Sequence, residues 1–563
     1  MDFEKPWDEF YKGIDVNINY PDSSLFGAVC EAMEKNPKAT ALVYMGRKIT
    51  YSQLVEESLR FADLFRRLSV KPGEMVAVCL PNIPEAVYCL YGLSAIGAVS
   101  SFLHPLSAPM ELDYYITELK ARYVVTLDSL IKNFSASTLN SDVKFLIVSP
   151  EQSLSKCKKL LYRLSNKKIS VPNRENIIHT KKLLSGCDTE EIVPVQTDKD
   201  SVAVVLFSGG TTGVPKGVMI SNFSLNAMAL QTARMSAVEV SGKSMLAAMP
   251  MFHGFGLAVC IHTTLISGGS CLLVPRFTPR EYAKLIIRHK PNFIAGVPTL
   301  FEALLNCEEL KKADLSCLLG VFSGGDTLPV DLKQRFDEFL KTHGAKVRIR
   351  EGYGATECVT ASCLTPVAKE KIGSIGIPFP DVLYKICKVG TTEQLPYGEQ
   401  GEICISGPTL MMGYLSHEEE TAKVLKTHED GRIWLHTGDL GYIDREGFVY
   451  FRQRIKRIIV VSGYNVYPSQ IERIFEAHES IKKCCVVAKR DAYKMHRVKL
   501  YAVPNDGFIG DDALRRQITE YAKGCIARYA IPKEIEFLES LPMTKYGKVD
   551  FLKLQNDANK ETE

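Results

Sequence analysis

Residues 202–221 read VAVVLFSGGTTGVPKGVMIS, and this stretch decides how the chain is interpreted. Residues 202–207 form a short apolar run rich in β-branched side chains, which predicts a buried strand. The glycines that follow allow close backbone approach to an anion, and the hydroxyls supply donors for its oxygens. We therefore expect a phosphate-binding loop at a strand end. Its residues are Ser208, Gly209, Gly210, Thr211, Thr212, Gly213 and Lys216.

This loop differs from the common P-loop, in which a lysine and then a hydroxyl residue follow the last glycine at the start of a helix. Here the order is Pro215-Lys216-Gly217. A polyphosphate suits such a loop, but a surface turn rich in glycine and serine is the alternative. The loop alone leaves the chemistry open.

Composition limits the classes of protein to consider. A chain of 563 residues is too long for one ordinary core and should form two or more domains. With 69 basic and 65 acidic residues, the net charge of +4 is too balanced for a dedicated nucleic-acid binder. Sites for anions must therefore be local.

The sequence also bears on the cellular compartment. The N-terminus mixes both charges without an apolar stretch, which favours the cytoplasm over secretion. Sixteen cysteines lack metal-ligand spacing and are interpreted as buried free thiols in a reducing compartment. Residues 244–275 carry no Asp, Glu, Lys or Arg, but prolines and glycines interrupt them. We expect a buried helix and strand there rather than a membrane span.

Short apolar runs alternate with longer amphipathic ones over the first four hundred residues, which predicts an α/β fold with parallel-rich sheets and flanking helices. The composition changes near residue 451. We place a large N-terminal domain at 1–453 and a small α+β domain at 454–563. The basic segment 153–168 carries interleaved leucines and could rest on an anionic membrane surface, or it could be a solvated helix.

Five stretches together resemble the adenylate-forming superfamily, which includes acyl-CoA synthetases, luciferases and peptide-synthetase adenylation domains. They are SGGTTGVPKG at 208–217, EGYGATE at 351–357, LHTGDLGYID at 435–444, RQRIKRIIVVSGYNVYPSQIE at 452–472 and PMTKYGKVD at 542–550. The resemblance covers nearly the whole chain. It implies that the phosphates are those of ATP and that the chain activates a carboxylic acid.

The resemblance also implies roles for single residues. Thr211, Thr212 and Lys216 would hold the β- and γ-phosphates. Tyr353 would stack on adenine, and Thr356 would bond the α-phosphate. Glu357 would help to hold Mg²⁺, an ion that prefers oxygen ligands. The glycines assigned to the nucleotide site beside them are Gly324, Gly325, Gly352 and Gly354.

Further roles follow in the later motifs. Asp439 resembles the ribose ligand, because a carboxylate can accept hydrogen bonds from both hydroxyls, and Arg454 resembles its basic partner. Lys548 would carry the first chemical step, since a cation near both reactants lowers the cost of joining two anions. Lys456 falls at the hinge on which the small domain swings between two orientations.

Two residues keep a structural alternative. Gly463 would line the channel for the thiol, or it is a simple turn glycine. His253 would act as a gate at the acyl pocket, or it is a core histidine. We count Lys548, His253, Thr356 and Glu357 as catalytic, with Glu357 also the metal ligand.

The sequence departs from the superfamily pattern at three positions. Gln453 stands where glycine is usual, Val460 replaces a lysine found in some relatives, and Tyr546 replaces a small hydroxyl residue. None of these changes removes a charge that adenylation requires. Val460 weakens a luciferase-like interpretation.

The sequences of these motifs are most similar to those of medium- and long-chain fatty acyl-CoA synthetases. An acyl slot is expected from Phe255, Gly256, Val297, Phe301 and residues 321–325. Asp326 could instead meet a substrate ammonium, or it caps a turn. The expected substrates are a fatty acid, ATP with Mg²⁺, and CoA. The alternatives are an aromatic or small-acid ligase, a ligase that loads a separate carrier protein, and an inactive nucleotide-binding protein on a membrane surface.

Overall fold

The computed structural model describes residues 4–154, 158–160, 172, 174–189, 192–195, 198–209, 215–276, 278–326, 328–455, 459–461, 464–466, 468–491, 495–542 and 549–560. The side chains of residues 150, 152, 453, 454, 465, 469, 470, 473, 495 and 552 are outside this description. Within it the chain forms two large sheets, one smaller antiparallel sheet and a separate C-terminal domain, which confirms the predicted α/β class.

The phosphate-loop strands lie in an eight-stranded sheet. In spatial order its strands are Gly413–Tyr414, Pro215–Ser221, Val202–Gly209, Val99–Phe102, Met75–Cys79, Tyr123–Leu127, Lys144–Val148 and Ile177–His179. Pairing is parallel from Val202–Gly209 to Ile177–His179 and antiparallel at the other edge. The neighbouring helices are Leu25–Lys35, Tyr51–Arg67, Pro84–Ala95, Pro109–Glu118 and Asn222–Ser236.

A nine-stranded sheet lies beside it. Its strands follow the order Ile377–Pro378, Cys363–Leu364, Ile349–Tyr353, Gly320–Ser323, Phe293–Gly296, Ser244–Ala247, Ser270–Leu273, Thr40–Tyr44 and Arg47–Thr50. Its central pairs are parallel, and the helices Pro279–His289, Pro298–Leu305 and Val330–Thr342 connect them. Because parallel strands end at the same edge, the loops after Ser323 and Tyr353 meet there.

The uncharged stretch 244–275 forms two strands of this sheet and the helical segments Phe255–His262 and Thr263–Ile266 between them. The first segment has the wide turn of a π-helix, and its residues are buried. The prediction of a buried helix and strand is confirmed. No helix within the described residues is long and apolar enough to cross a bilayer. Most of the basic segment 153–168 lies outside the described residues, so its membrane contact stays a prediction.

A five-stranded antiparallel sheet completes the large domain. Leu383–Cys387, Gly401–Ser406, Ile433–Ile443 and Leu425–Thr427 lie in that order, and Val449–Arg454 also pairs with Ile433–Ile443. The remaining short elements are Pro6–Tyr11, Asp128–Asn133, Ala136–Leu139, Pro150–Ser153, Thr180–Ser185, Glu308–Leu310, Thr356–Cys358 and Glu418–Val424.

The C-terminal domain is α+β, as predicted. A hairpin pairs Ile459–Val461 with Tyr464–Val466, and a three-stranded sheet contains Ile481–Asp491, Met495–Pro504 and Glu534–Phe537. Its helices are Pro468–Glu476, Asp512–Cys525 and Phe551–Lys560. A core of its own includes Phe475, Leu500 and Ile518. The boundary between residues 453 and 454 stays a prediction.

Candidate active site

The predicted phosphate loop joins two antiparallel strands. Ser208 lies opposite Lys216 in the register of Val202–Gly209 and Pro215–Ser221. This strand–loop–strand arrangement explains the departure from the P-loop, in which a helix follows the loop. Residues 210–214 at the tip lie outside the described residues. The Ser208 hydroxyl donates to Glu357 Oε1 at 3.1 Å, which ties the hairpin to the nucleotide turn.

Lys216 lies on the returning strand and is buried. Its Nζ is 2.5 Å from Glu420 Oε2 and 5.0 Å from the centre of the Tyr414 ring. The hydrogen bond from Lys216, helped by one from Lys423, lowers the pKa of Glu420 to about 2. The predicted phosphate ligand is therefore bound to a carboxylate in this structure.

The EGYGATE motif forms a strand end and a tight turn. Ile349–Tyr353 ends the parallel part of the nine-stranded sheet, and Thr356–Cys358 follows as a short helix. A Cβ atom at Gly354 would lie 1.9 Å from the carbonyl oxygen of Thr360, so only glycine fits there. The hydroxyl of Tyr414 donates to Glu357 Oε1 at 2.9 Å. Glu357 Oε1 thus accepts from two strands of the eight-stranded sheet, through Ser208 and Tyr414.

The third sheet brings Asp439 to this turn. Tyr353 donates its hydroxyl hydrogen to Asp439 Oδ2 at 2.6 Å. Asp439 is buried, and its backbone lies opposite that of Arg454 in the strand register. The two residues predicted for adenine and ribose are therefore adjacent, although they lie 86 positions apart in the sequence.

Glu402 supports the Asp439 turn, and sequence reasoning missed it. Its Oε1 accepts from the Gly438 backbone N–H at 2.9 Å, and its Oε2 lies 2.8 Å from His436 Nδ1. With Cys404, these side chains place atoms of the ligand type within 4.8 Å of one another. Both Glu402 oxygens are used in hydrogen bonds, so we interpret the cluster as support for the turn.

A cavity of about 140 Å³ opens at the edge where these motifs meet. Nine residues predicted for the nucleotide site or for catalysis line it: Ser208, His253, Gly324, Gly325, Gly352, Tyr353, Gly354, Thr356 and Glu357. A second cavity, of about 350 Å³, shares Ser208, His253, Gly325 and Thr356 with the first. Gly325 has a φ of +81°, a conformation that favours glycine. The shared residues form the junction of the two cavities.

The apolar lining of the first cavity differs in part from the expected acyl slot. Phe255 lines both cavities, but Phe301 and Val321 are packed in the hydrophobic core beside the nine-stranded sheet. A Cβ atom at Gly256 would meet the Pro250 carbonyl oxygen at 2.1 Å, so this glycine serves close packing. Phe322, which was expected in the slot, does line the first cavity, whereas the lining residues that sequence reasoning missed include Val240, Met245, Val259, Thr264 and Phe293.

His253 borders both cavities, which favours a role in the pocket over that of a closed core histidine. Its Nδ1 accepts from the Phe255 backbone N–H at 3.1 Å. Burial lowers the pKa of His253 to about 4, so the ring is neutral near pH 7. Asp326 lies outside the described linings of both cavities.

Tyr464 and Tyr529 of the small domain line the second cavity. Lys456, Gly463 and Lys548 lie outside the described residues, as does the side chain of Arg454. Among the described residues next to the segment that carries Lys548, the Asp550 N–H donates to the Pro542 carbonyl at 2.8 Å. Val549 packs against a hydrophobic cluster of the small domain that includes Val487 and Tyr501.

Comparisons with known proteins agree with this architecture. Residues 29–415 match the AMP-binding enzyme family, and residues 470–548 match the AMP-binding enzyme C-terminal domain. A long-chain-fatty-acid–CoA ligase of Bacillus subtilis (strain 168) is 34% identical over 560 residues, which cover 98% of this chain and 97% of the relative. A feruloyl-CoA synthase of an Amycolatopsis species is 29% identical, with coverage of 91% and 95%.

Among solved structures, the amide bond synthetase McbA from Marinactinospora thermotolerans has a TM-score of 0.79 at 24% identity and covers 95% of this chain and 99% of its own. This likeness shows the fold. The family match spans most of the large domain, and the Bacillus relative extends over nearly the whole length. The chain therefore belongs to the AMP-binding enzyme family, the adenylate-forming superfamily that its five motifs resemble.

Proposed function

We propose that the chain is an ATP-dependent, AMP-forming fatty acid:CoA ligase. The observation that carries this proposal is the junction at Ser208, His253 and Thr356, where a nucleotide site meets an apolar cavity. In the first step the fatty acid carboxylate attacks the α-phosphate of ATP, giving an acyl-adenylate and pyrophosphate. In the second step the thiol of CoA attacks the acyl carbonyl, and AMP leaves.

A fatty acid suits the first cavity because its lining is mainly apolar. Glu357 is the one charged side chain among the described lining residues, because the imidazole of His253 is neutral near pH 7. Because Glu357 is assigned to Mg²⁺, the described lining offers no further carboxylate for the ammonium of an amino acid, which is costly for a buried charge. The name of the Bacillus relative supports a long-chain acid. The name of the Amycolatopsis relative keeps an aromatic acid as the second candidate.

The residues present fit a magnesium ion. Glu357 presents a carboxylate whose Oε1 is held by the hydroxyls of Ser208 and Tyr414. Oxygen ligands of this kind suit Mg²⁺, which usually binds through one or two carboxylates and substrate phosphates. When bound, the ion would offset the negative charge of the phosphates. Glu357 itself would hold and orient it.

The remaining roles extend the proposal to residues that the structure does not test. Lys548 would stabilise the charge that develops when two anions combine. Thr211 and Thr212 would bind the departing phosphates, Arg454 would accompany Asp439 at the ribose, and Lys456 would serve as the hinge. Gly463 would leave room for the arm of the thiol.

A basic groove supports CoA as the acceptor. Its volume is about 790 Å³, and it lies between residues 106–109 of the large domain and 515–535 of the small domain. The described lining contains no Asp or Glu, and its cations are Lys132, Arg515, Lys523, Arg528 and Lys533. Guanidinium and ammonium groups favour phosphate. A nucleotide with three phosphates is therefore a suitable occupant.

This groove continues toward the second cavity. A smaller cavity shares Arg528 and Lys533 with the groove, and it shares Tyr464 and Tyr529 with the second cavity. A thiol arm could thus extend inward while its phosphates stay outside. A carrier protein would use the same passage, so the acceptor must be tested directly.

The deciding experiment measures AMP and pyrophosphate release with ATP and Mg²⁺ across short, medium, long-chain and aromatic acids, each with and without CoA. We expect CoA-dependent AMP release with one class of fatty acid. Lys548→Ala should lose adenylation and still convert a synthetic acyl-adenylate into thioester. Full adenylation by that variant, or no release of AMP or pyrophosphate by the wild type with any acid, would contradict the proposal.

The acceptor is tested with CoA against pantetheine, which lacks the nucleotide. We expect Arg528→Ala with Lys533→Ala to raise the KM for CoA about tenfold or more, since two charged contacts are lost, and to leave pantetheine unchanged. Lys482→Ala, at an exposed strand position, is the control. An equal effect on both thiols would exclude this groove as the nucleotide site.

A further inference from the structure

His104 lies at the passage between the second cavity and the outer groove. It follows the strand Val99–Phe102, at the carboxyl end of a parallel strand next to the one that carries Ser208. It lines both the second cavity and the neighbouring cavity that adjoins the groove. A molecule that passes from the groove to the junction must therefore pass this imidazole.

The hydrogen bonds of His104 define its tautomer. Its Nδ1 accepts from the Leu106 backbone N–H at 2.8 Å, so this nitrogen carries no proton. Burial lowers the pKa of His104 to about 4, which keeps the ring neutral near pH 7. A neutral imidazole holds its one proton on the other nitrogen. Nε2 is therefore a hydrogen-bond donor.

This donor has no acceptor within the part of the chain that the structure describes. The Nε2 atom is buried, and no described side chain, carbonyl or hydroxyl bonds to it. A buried donor without a partner is unfavourable by about 1–3 kcal/mol, and native structures contain few of them. Because the ring lines a cavity, a ligand in that cavity can supply the missing acceptor.

Aromatic rings fix the direction of this donor. The His104 ring lies 4.1 Å from Phe252, 5.4 Å from Tyr464 and 5.7 Å from Tyr529 between ring centres. Tyr464 and Tyr529 also stack on each other at 4.4 Å. Both tyrosines belong to the small domain. The donor is therefore held in place when the small domain packs against the large domain as it does here.

We infer that His104 Nε2–H donates to an amide carbonyl of the pantetheine arm of the acceptor during thioester formation. Amide carbonyls are the acceptors that such an arm offers along a narrow passage. This inference rests on the proposed function, and it adds a residue that positions the thiol. His104 takes no part in bond formation and exchanges no proton with the substrate.

The test separates the two half-reactions. His104→Phe keeps an aromatic ring for the stack and removes the donor, whereas His104→Gln can place an amide N–H near the Nε2 position. Adenylation is followed by ATP–pyrophosphate exchange, and transfer is followed with a synthetic acyl-adenylate. The acceptors are CoA, pantetheine and 2-mercaptoethanol, which has no amide. His343→Phe, outside the described linings of both cavities, is the matched control.

We expect His104→Phe to raise the KM for CoA and for pantetheine about tenfold, as loss of one buried hydrogen bond implies. The rates of ATP–pyrophosphate exchange and of acyl transfer to 2-mercaptoethanol should change by less than about twofold in His104→Phe. The KM values of His104→Gln for CoA and pantetheine should lie close to those of the wild type. An equal loss with 2-mercaptoethanol, or a loss of exchange, would overturn the inference. A wild type without exchange or thioester would instead contradict the proposed function.

Discussion

The Tyr353 hydroxyl and the Asp439 carboxylate are joined by a hydrogen bond of 2.6 Å that connects the nine-stranded sheet to the antiparallel sheet. The two groups proposed for adenine and ribose thus position each other before ATP binds. Pre-organisation of this kind lowers the cost of ordering side chains on binding.

We expect Tyr353→Phe to raise the KM for ATP about three- to tenfold, because the ring remains and one hydrogen bond is lost. Tyr353→Ala should have a larger effect, since the stacking surface is also removed. Tyr442→Phe, whose ring stacks on Tyr450, is the control. Steady-state kinetics at saturating fatty acid and CoA measure the KM for ATP of each variant. Equal KM values for Tyr353→Ala and wild type would exclude Tyr353 from the adenine site.

Glu402 is expected to act on ATP through the turn that carries Asp439. Glu402→Gln keeps the shape of the side chain but weakens the bonds to Gly438 and His436. We expect a higher KM for ATP and an unchanged rate of transfer from a synthetic acyl-adenylate. A variant that lost both activities in proportion would show general damage to the fold instead.

The same residue predicts a pH dependence of stability. Burial raises the pKa of Glu402, but the hydrogen bond and charge of His436, the hydrogen bond from Gly438 and the charge of Lys426 together outweigh burial and hold the pKa below its usual value. A carboxyl whose pKa is lower in the folded protein stabilises the fold at pH values above its pKa in the unfolded chain. This stabilisation is lost as the pH falls through the pKa of the carboxyl in the folded protein. The difference in unfolding free energy between wild type and Glu402→Gln should therefore be largest above about pH 5. Denaturant unfolding at several pH values measures this difference in free energy. A difference that grew toward acid pH would contradict the prediction.

Lys216 must exchange Glu420 for phosphate if it binds ATP as proposed. The pair is 2.5 Å apart, with Lys216 nearly buried and Glu420 partly exposed. Removing the carboxylate should release the lysine, so Glu420→Gln should lower the KM for ATP about two- to fivefold. Lys216→Ala should raise it. Lys423→Ala, which removes the other cation bound to Glu420, is the control. A higher KM in Glu420→Gln would mean that the carboxylate holds Lys216 in its working position.

The sequence predicted the parts of the site that lie within motifs. Ser208, Tyr353, Thr356 and Glu357 were recognisable because their spacing to neighbouring glycines is distinctive, and the structure brings them to one cavity. The strand before the loop and the α+β character of the C-terminal domain were also predicted and confirmed.

Other contacts depend on sheet order, which the sequence does not display. Val259, Met245 and Phe293 reach one cavity from a helix and two different strands. Phe301 and Val321 carry equally apolar side chains, yet they face the core. His104 has no motif signal, because its donor is defined by a tautomer and by rings from another domain. The pairing of Lys216 with Glu420 spans 204 residues and was likewise not predictable.

The apolar lining offers a test of substrate size. Val259 projects from the helical segment Phe255–His262 and lines the first cavity together with Met245 and Phe293. Val259→Phe adds volume to a space of about 140 Å³, so a long acyl chain should no longer fit. We expect kcat/KM for long-chain acids to fall about tenfold or more, while short acids change little.

Ile287→Phe is the control for this change, because Ile287 is exposed on the helix Pro279–His289. The measurement is AMP release across a series of saturated acids at fixed ATP and CoA. If Val259→Phe lowered activity equally for every chain length, the first cavity would not be the acyl pocket. If it lowered activity for long acids alone, the end of the acyl chain would lie beside Val259, and the carboxylate would lie at the junction lined by Ser208 and Thr356.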